Sequence, residues 1–274
     1  MGARSADTTH APGIFSGVEG VTSDFFRNFV IYSVDKTNAI MKIRLFTIPN
    51  FITLGNLVCG AMAAVSALVW NDLTLSFWLI VAAAVCDFFD GMVARLMGIS
   101  GPLGVQLDSL ADDISFGFAP AAILFVMFHR VNEGQLPEWL GLTVFLFAAF
   151  AALRLAKFNI DEEQHTEFRG LPTPAATLYV VSMGWALEHG SYFAPNAWSV
   201  LITAWVLALV MISSIPMFSL KFKGFGWHGN ELRYLFILAS VAALVGFGVE
   251  GFQLIIPAYI CVSTTRAWLN RSKS

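Results

Sequence analysis

Eight apolar stretches divide most of this chain, near residues 49–70, 73–95, 108–128, 137–157, 172–188, 197–216, 232–249 and 252–268. Each approaches the ~20 residues that a helix needs to cross a bilayer. Only Glu250-Gly251 parts the last two, so six to eight spans is the expected range. Composition points the same way. The chain is 57% hydrophobic and 13% charged, with a mean hydropathy of +0.68, whereas soluble domains are about 25% charged. Too little polar surface is left to coat a water-soluble body, which excludes a soluble enzyme and a disordered chain. A net charge of −3 adds no support for a nucleic-acid partner. The expected fold class is all-α, a polytopic membrane helical bundle without the internal repeat that many transporter folds show.

Basic residues set the expected topology. With eight spans and a cytoplasmic N-terminus, 15 of the 16 Lys and Arg residues fall inside, and only Arg130 falls outside. Such a bias supports this orientation and an even number of spans. Ahead of the spans, residues 1–22 read as a disordered tail. Residues 23–46, with aromatics beside Arg27, Lys36, Lys42 and Arg44, read as an amphipathic helix on the membrane surface. The first apolar run comes too late for a signal peptide. Cys59, Cys86 and Cys261 lie in apolar stretches without ligand spacing and read as small buried hydrophobes. The five histidines are scattered, so zinc has no support.

Against this apolar background, five of the ten aspartates crowd between positions 87 and 113, with Arg95 the one basic residue in that window. Ionisable groups this near a membrane core usually mark function. Asp87 and Asp90 are three apart near the cytoplasmic end of the second span, so they share a helix face. Asp108 and Asp112 are four apart at the start of the third and share a face there. A turn-rich connection over residues 98–104 joins the pairs, and antiparallel neighbours would bring all four carboxylates together. Such a set cannot stay ionised without cations, and hard oxygen ligands suit Mg²⁺ or Mn²⁺, two of which would bridge a diphosphate. Asp113 lies about 140° around the helix from Asp108 and is left out of the ligand set. Asp87, Gly91 and Ala94 recur at helical spacing, making a face with little bulk that a ring or sugar could approach; close helix packing is the competing use of such residues.

The stretch Asp87-Phe-Phe-Asp90-Gly91-Met-Val-Ala94-Arg95, then eight residues, Gly104, three residues, Asp108, three residues and Asp112, carries all eight residues of a known signature at its spacing. On it the chain resembles the CDP-alcohol phosphotransferase family. Further stretches, Ile48 to Asn56, Ser115 to Pro120, Arg154 to Asn159, Gly170 to Ala175 and Ser213 to Pro216, are similar to its serine-using branch. Lys157 departs from the Arg expected in many relatives, which keeps the charge but loses a bidentate fork.

The resemblance implies transfer of a phosphatidyl group from CDP-diacylglycerol to an alcohol, here L-serine, with release of CMP. It implies a six-helix catalytic core over 47–220, preceded by the tail at 1–46 and followed by about two extra C-terminal transmembrane helices over 221–274. By the resemblance, Asp87, Asp90, Asp108 and Asp112 hold divalent metal, Asp112 also acts as general base, and Gly91, Ala94, Arg95 and Gly104 border the nucleotide. A homodimer in the cytoplasmic membrane, with the site facing the cytoplasm and the acyl chains in membrane lipid, is also implied.

Other assignments come from the residues. Arg154 offers a bidentate grip for the serine carboxylate, the competing role being a positive anchor at a helix end. Lys157 accompanies it in the acceptor region and suits the anchor better. Asn50 and Thr53 are candidates for reading cytosine or ribose, or for capping the first span. Other acceptors, namely choline, glycerol 3-phosphate or inositol phosphate, are alternatives. A membrane prenyltransferase and a metal- or proton-coupled transporter stand further off, because these aspartates fall within residues 87–112 of one stretch and cluster at one surface.

Overall fold

The structure, a computed structural model, describes residues 45–98, 101–160, 169–218, 226 and 230–271. The amphipathic helix expected over 23–46 falls outside these residues except for its last two positions. Among the described residues the chain is helical, with one isolated bridge between Arg169 and Pro216.

The helices start and stop where local chemistry says they should. α1 (Ile48–Leu68) is capped by the Thr47 side chain, which accepts from the Asn50 amide, with Pro49 in its first turn. The cap is thus Thr47, not Asn50 or Thr53. α2 (Leu73–Met97) begins at Asp72, whose carboxylate accepts from the Leu75 amide at 2.8 Å, and ends at Gly98 in the left-handed conformation (φ 61°). α3 (Pro102–Asp112) starts six residues earlier than the expected third span. Pro102 at the first turn opens the helix instead of prolonging the turn, because its fixed φ suits that position.

α3 runs through a π-helical turn, Asp113–Phe118, into α4 (Ala119–Val131), giving one continuous stretch of 30 residues. A 3₁₀ segment, Glu138–Phe145, leads into α5 (Leu146–Ile160). α6 (Thr173–Glu188) and α7 (Ala197–Ile212) follow, and α7 ends short of the expected 216. Its last turn and its continuation instead bond the chain entering α6: the Leu171 amide donates to the Val210 carbonyl (3.2 Å) and the Gly170 amide to the Ile215 carbonyl (2.9 Å). α8 (Glu231–Phe247) and α9 (Phe252–Arg271) are parted by a 3₁₀ turn where Gly248 has φ 58°. Gly251 packs so closely on α8 that an added Cβ would lie 2.8 Å from the Ala243 carbonyl oxygen. All eight expected segments are helical. Five stretches are long and apolar enough to cross a membrane, and the protein is an integral membrane protein.

α4 lies at the centre, with nine of its thirteen residues buried, and Phe116, Ile123, Met127, Phe128 and Phe147 fill the core around it. Outward, the bundle presents apolar side chains such as Val58, Trp78 and Leu238, as lipid contact requires. α8 buries none of its residues. The cysteines correct an expectation: Cys59 and Cys86 are half-buried and Cys261 is exposed. In lipid an apolar side chain gains little by turning inward.

Candidate active site

Two antiparallel helices, α1 and α2, meet α3 at one end of the bundle, and the carboxylates gather there. Asp87 and Asp90 come from α2 and Asp108 from α3, with a carboxylate oxygen of each within 4.8 Å of the others. Asp90 is 4% exposed, and its Oδ2 is buried without a hydrogen-bond partner among the described residues. A buried carboxylate oxygen with no donor, beside two further carboxylates, is unfavourable unless a cation completes it. The donor set is all hard oxygen, so these three residues fit a divalent cation such as Mg²⁺ or Mn²⁺.

Asp112 stands outside this group of three, one turn along α3 from Asp108. Its Oδ1 accepts a hydrogen bond from the Asn56 Nδ2 at 3.0 Å. The structure thus brings three of the four signature aspartates into one group and sets the fourth beside a second space. Asp113 points elsewhere: its Oδ1 is buried without a partner, 2.8 Å from where a Cβ on Gly117 would lie.

Two cavities flank α3 and share Asp108 and Val105 on their walls. The first, about 180 Å³, is lined by Asn50, Thr53, Asp90, Gly91, Ala94 and Gly104, among others. It therefore collects five of the six residues assigned to the nucleotide. Its floor is glycine and alanine, which leaves room for a flat or bulky group against the helix backbone. Arg95, the sixth, is exposed, and its guanidinium lies 3.9 Å from where a Cβ on Gly91 would sit. Thr53 donates to the Pro49 carbonyl at 3.0 Å, and its hydroxyl also lies within hydrogen-bonding reach of the Asp90 carboxyl.

The second cavity, about 530 Å³, is lined by Asp108, Asp112, Arg154 and Thr173, with Ser109 and Asn159 bonded across it at 2.7 Å. Arg154 donates from Nη1 to the Thr173 hydroxyl at 3.0 Å, while its Nε is buried and has no partner among the described residues. Lys157, one turn on, is exposed and absent from this cavity; with Arg154 and Arg169 it lines a third of about 270 Å³.

Arg169 reaches that third cavity because Gly170 turns the chain. Gly170 has φ +77°, and an added Cβ would lie 2.3 Å from the Met211 carbonyl oxygen, so only glycine fits. Sequence reading counted Arg169 only towards topology. It also missed Asn56, which is 0% exposed within α1; an amide inside an otherwise apolar span was the signal available.

The CDP-alcohol phosphatidyltransferase family profile matches residues 46–215, which spans α1 to α7 and both cavities. The chain belongs to the CDP-alcohol phosphatidyltransferase family. It is similar to the CDP-diacylglycerol–serine O-phosphatidyltransferase of Helicobacter pylori, 30% identical over 230 residues covering 82% of this chain and 92% of that protein. The enzymes of the same name from Bacillus subtilis and Methanocaldococcus jannaschii are each 32% identical. The first covers 67% of this chain and 94% of its own length, the second 78% and 90%. A prenyltransferase or transporter is thereby set aside.

Proposed function

We propose that this enzyme transfers the phosphatidyl group of CDP-diacylglycerol to L-serine, forming phosphatidylserine and CMP. The observation that carries the reading is the sharing of Asp108 between two cavities, one with a bulk-free floor and one lined by the Arg154 guanidinium. A two-substrate displacement needs such a pair of spaces meeting at one charged wall. The serine assignment is supported by the relatives named above and by the unpartnered Arg154 Nε.

In this reading the nucleotide occupies the first cavity, against Gly91, Ala94 and Gly104, with Asn50 and Thr53 offering polar contacts and Arg95 at the rim. The signature aspartates would hold divalent metal, Mg²⁺ or Mn²⁺ and two ions by the resemblance, which when bound neutralises the diphosphate. Serine enters the second cavity with its carboxylate on Arg154. Asp112 takes the hydroxyl proton as the serine oxygen forms a bond to the β-phosphorus of the lipid side, and the bond to the CMP oxygen breaks. Lys157, being exposed, contributes charge near the entrance and no direct contact with the second cavity.

One observation favours a second reading of the acceptor. Arg154, Lys157 and Arg169 together line the third cavity, and three cations suit a phosphorylated alcohol as well as a carboxylate. CMP release by the purified enzyme from CDP-diacylglycerol with Mg²⁺ or Mn²⁺, offered serine, choline, glycerol 3-phosphate or inositol phosphate in turn, decides between them. Serine-dependent release is expected; release with only a phosphorylated alcohol overturns the serine assignment.

The site is read as facing the cytoplasm across the inner membrane, supported by the basic-residue bias. A cysteine placed at Glu133 should be labelled from outside and one at Gly101 should not. A catalytic core over 47–220, an appended hairpin beyond it and a homodimer complete the proposal. The first two are supported by the extent of the family match and the unburied α8, the last by the resemblance alone.

A further inference from the structure

We propose that Asn56 is a positioning residue for Asp112, and that its amide is retained at the expense of fold stability because it aims that carboxylate. The inference rests on the role given above to Asp112.

Asn56 lies within α1, fully buried. Its Nδ2 reaches across to Asp112 Oδ1 at 3.0 Å, although 56 residues separate the two in sequence. The backbone around it is held as firmly. The Ser115 hydroxyl, from the π-helical turn, donates to the Asn56 carbonyl at 3.0 Å. One turn on, an added Cβ at Gly60 would lie 2.2 Å from the same hydroxyl oxygen. α1 and the π-helical turn are pressed together at this point, which fixes the backbone that carries the amide.

The other half of the amide shows what this arrangement is for. Asn56 Oδ1 is buried and has no hydrogen-bond partner among the described residues. The NH₂ group faces Asp112 and donates to it, so the amide oxygen lies on the dry side. A buried acceptor without a donor destabilises a fold. If packing alone decided the residue, leucine, of nearly the same shape, would serve better. What asparagine adds is a donor on Asp112 Oδ1, which leaves Oδ2 as the oxygen free to work in the second cavity.

The test is Asn56→Leu in the purified full-length enzyme, with kcat, both KM values and the melting temperature measured together. Expected are a kcat lowered ~10- to 100-fold, the scale of loss for a misplaced reacting group, both KM values within about twofold of wild type, and a melting temperature little changed, because the variant removes the orphan amide oxygen and the donor to Asp112 together. A purely structural role predicts the reverse, a lowered melting temperature with kcat per folded molecule intact, and that result overturns the proposal. Should Asn56→Leu not fold, Asn56→Asp decides, since it keeps the volume and replaces the donor with an acceptor. Wild-type kcat in folded Asn56→Asp also overturns it.

Failure of the underlying reading is separately visible. Wild-type enzyme without serine-dependent CMP release sinks the serine assignment, and the Asn56 variants are then measured with whichever alcohol supports release. An active Asp112→Asn enzyme removes the basis of both, whereas inactive Asp112→Asn beside unaffected Asn56→Leu removes this inference alone.

Discussion

At the end of the bundle where α4 and α6 close, Arg130 meets Glu188 at 2.5 Å and donates from Nε to the Asn71 side chain at 2.7 Å. At the opposite end, four buried polar atoms have no partner among the described residues: Asn56 Oδ1, Asp90 Oδ2, Asp113 Oδ1 and Arg154 Nε. Both ends carry charge inside a mostly apolar body, yet one end satisfies its own groups and the other leaves them open. Unmet buried polar atoms destabilise, and two of these, Asp90 Oδ2 and Arg154 Nε, belong to residues that line the two cavities, the expected mark of a surface completed by ligands. The closed end is the part of the molecule that holds itself together.

That contrast can be broken most sharply at the carboxylates. Asp90→Asn or Asp108→Asn should lower kcat by at least ~10²-fold, as loss of a charge-stabilising group does elsewhere, and EDTA should abolish CMP release. Full turnover in EDTA would show that the open end needs no metal.

Arg154→Ala probes the acceptor side of the same end. Loss of a charge-assisted hydrogen bond removes on the order of 1.5–3 kcal/mol, which corresponds to roughly tenfold to a hundredfold in serine KM. CDP-diacylglycerol KM should scarcely move. The opposite pattern would assign Arg154 to the nucleotide or to the fold.

Gly60→Ala tests how far packing and site are coupled. The added methyl meets Ser115 at distances no side chain tolerates, and overpacking of this kind destabilises by ~1–3 kcal/mol. Because the strain falls on the contact that seats Asn56, thermal stability and kcat should decline together. A destabilised variant with unchanged kcat would uncouple the two.

The smallest effect belongs to the closed end. The Arg130 and Glu188 side chains are 22% and 32% exposed, and a pair in such a setting contributes up to about 1 kcal/mol. Arg130→Met should therefore lower the melting temperature slightly and leave both KM values and kcat intact. A large loss of activity would mean that the two ends communicate.

Much of the open end was legible in the residue order. The spacing of Asp87, Asp90, Asp108 and Asp112 follows helix geometry, and small residues beside them mark a face that admits a ligand. Less was legible where the chain uses proline and glycine against habit. Pro102 opens α3 where a turn was expected, and Gly170 bends the chain so that Arg169 joins Arg154 and Lys157. The cysteines misled for another reason: hydropathy reports solubility in an apolar medium, and both lipid and protein core qualify.

By itself the sequence determined the membrane-spanning helical body and the pairing of carboxylates on shared helix faces, because those depend on local properties, namely hydropathy and the 3.6-residue helical repeat. Only the tertiary structure decided that three aspartates form one group while Asp112 turns to Asn56, and that Asp108 stands between two cavities. Those outcomes depend on how α1, α2, α3 and α5 approach one another, and on the extra residue that the π-helical turn inserts after Asp112. Contacts between residues more than fifty positions apart are set by packing, which no local pattern encodes.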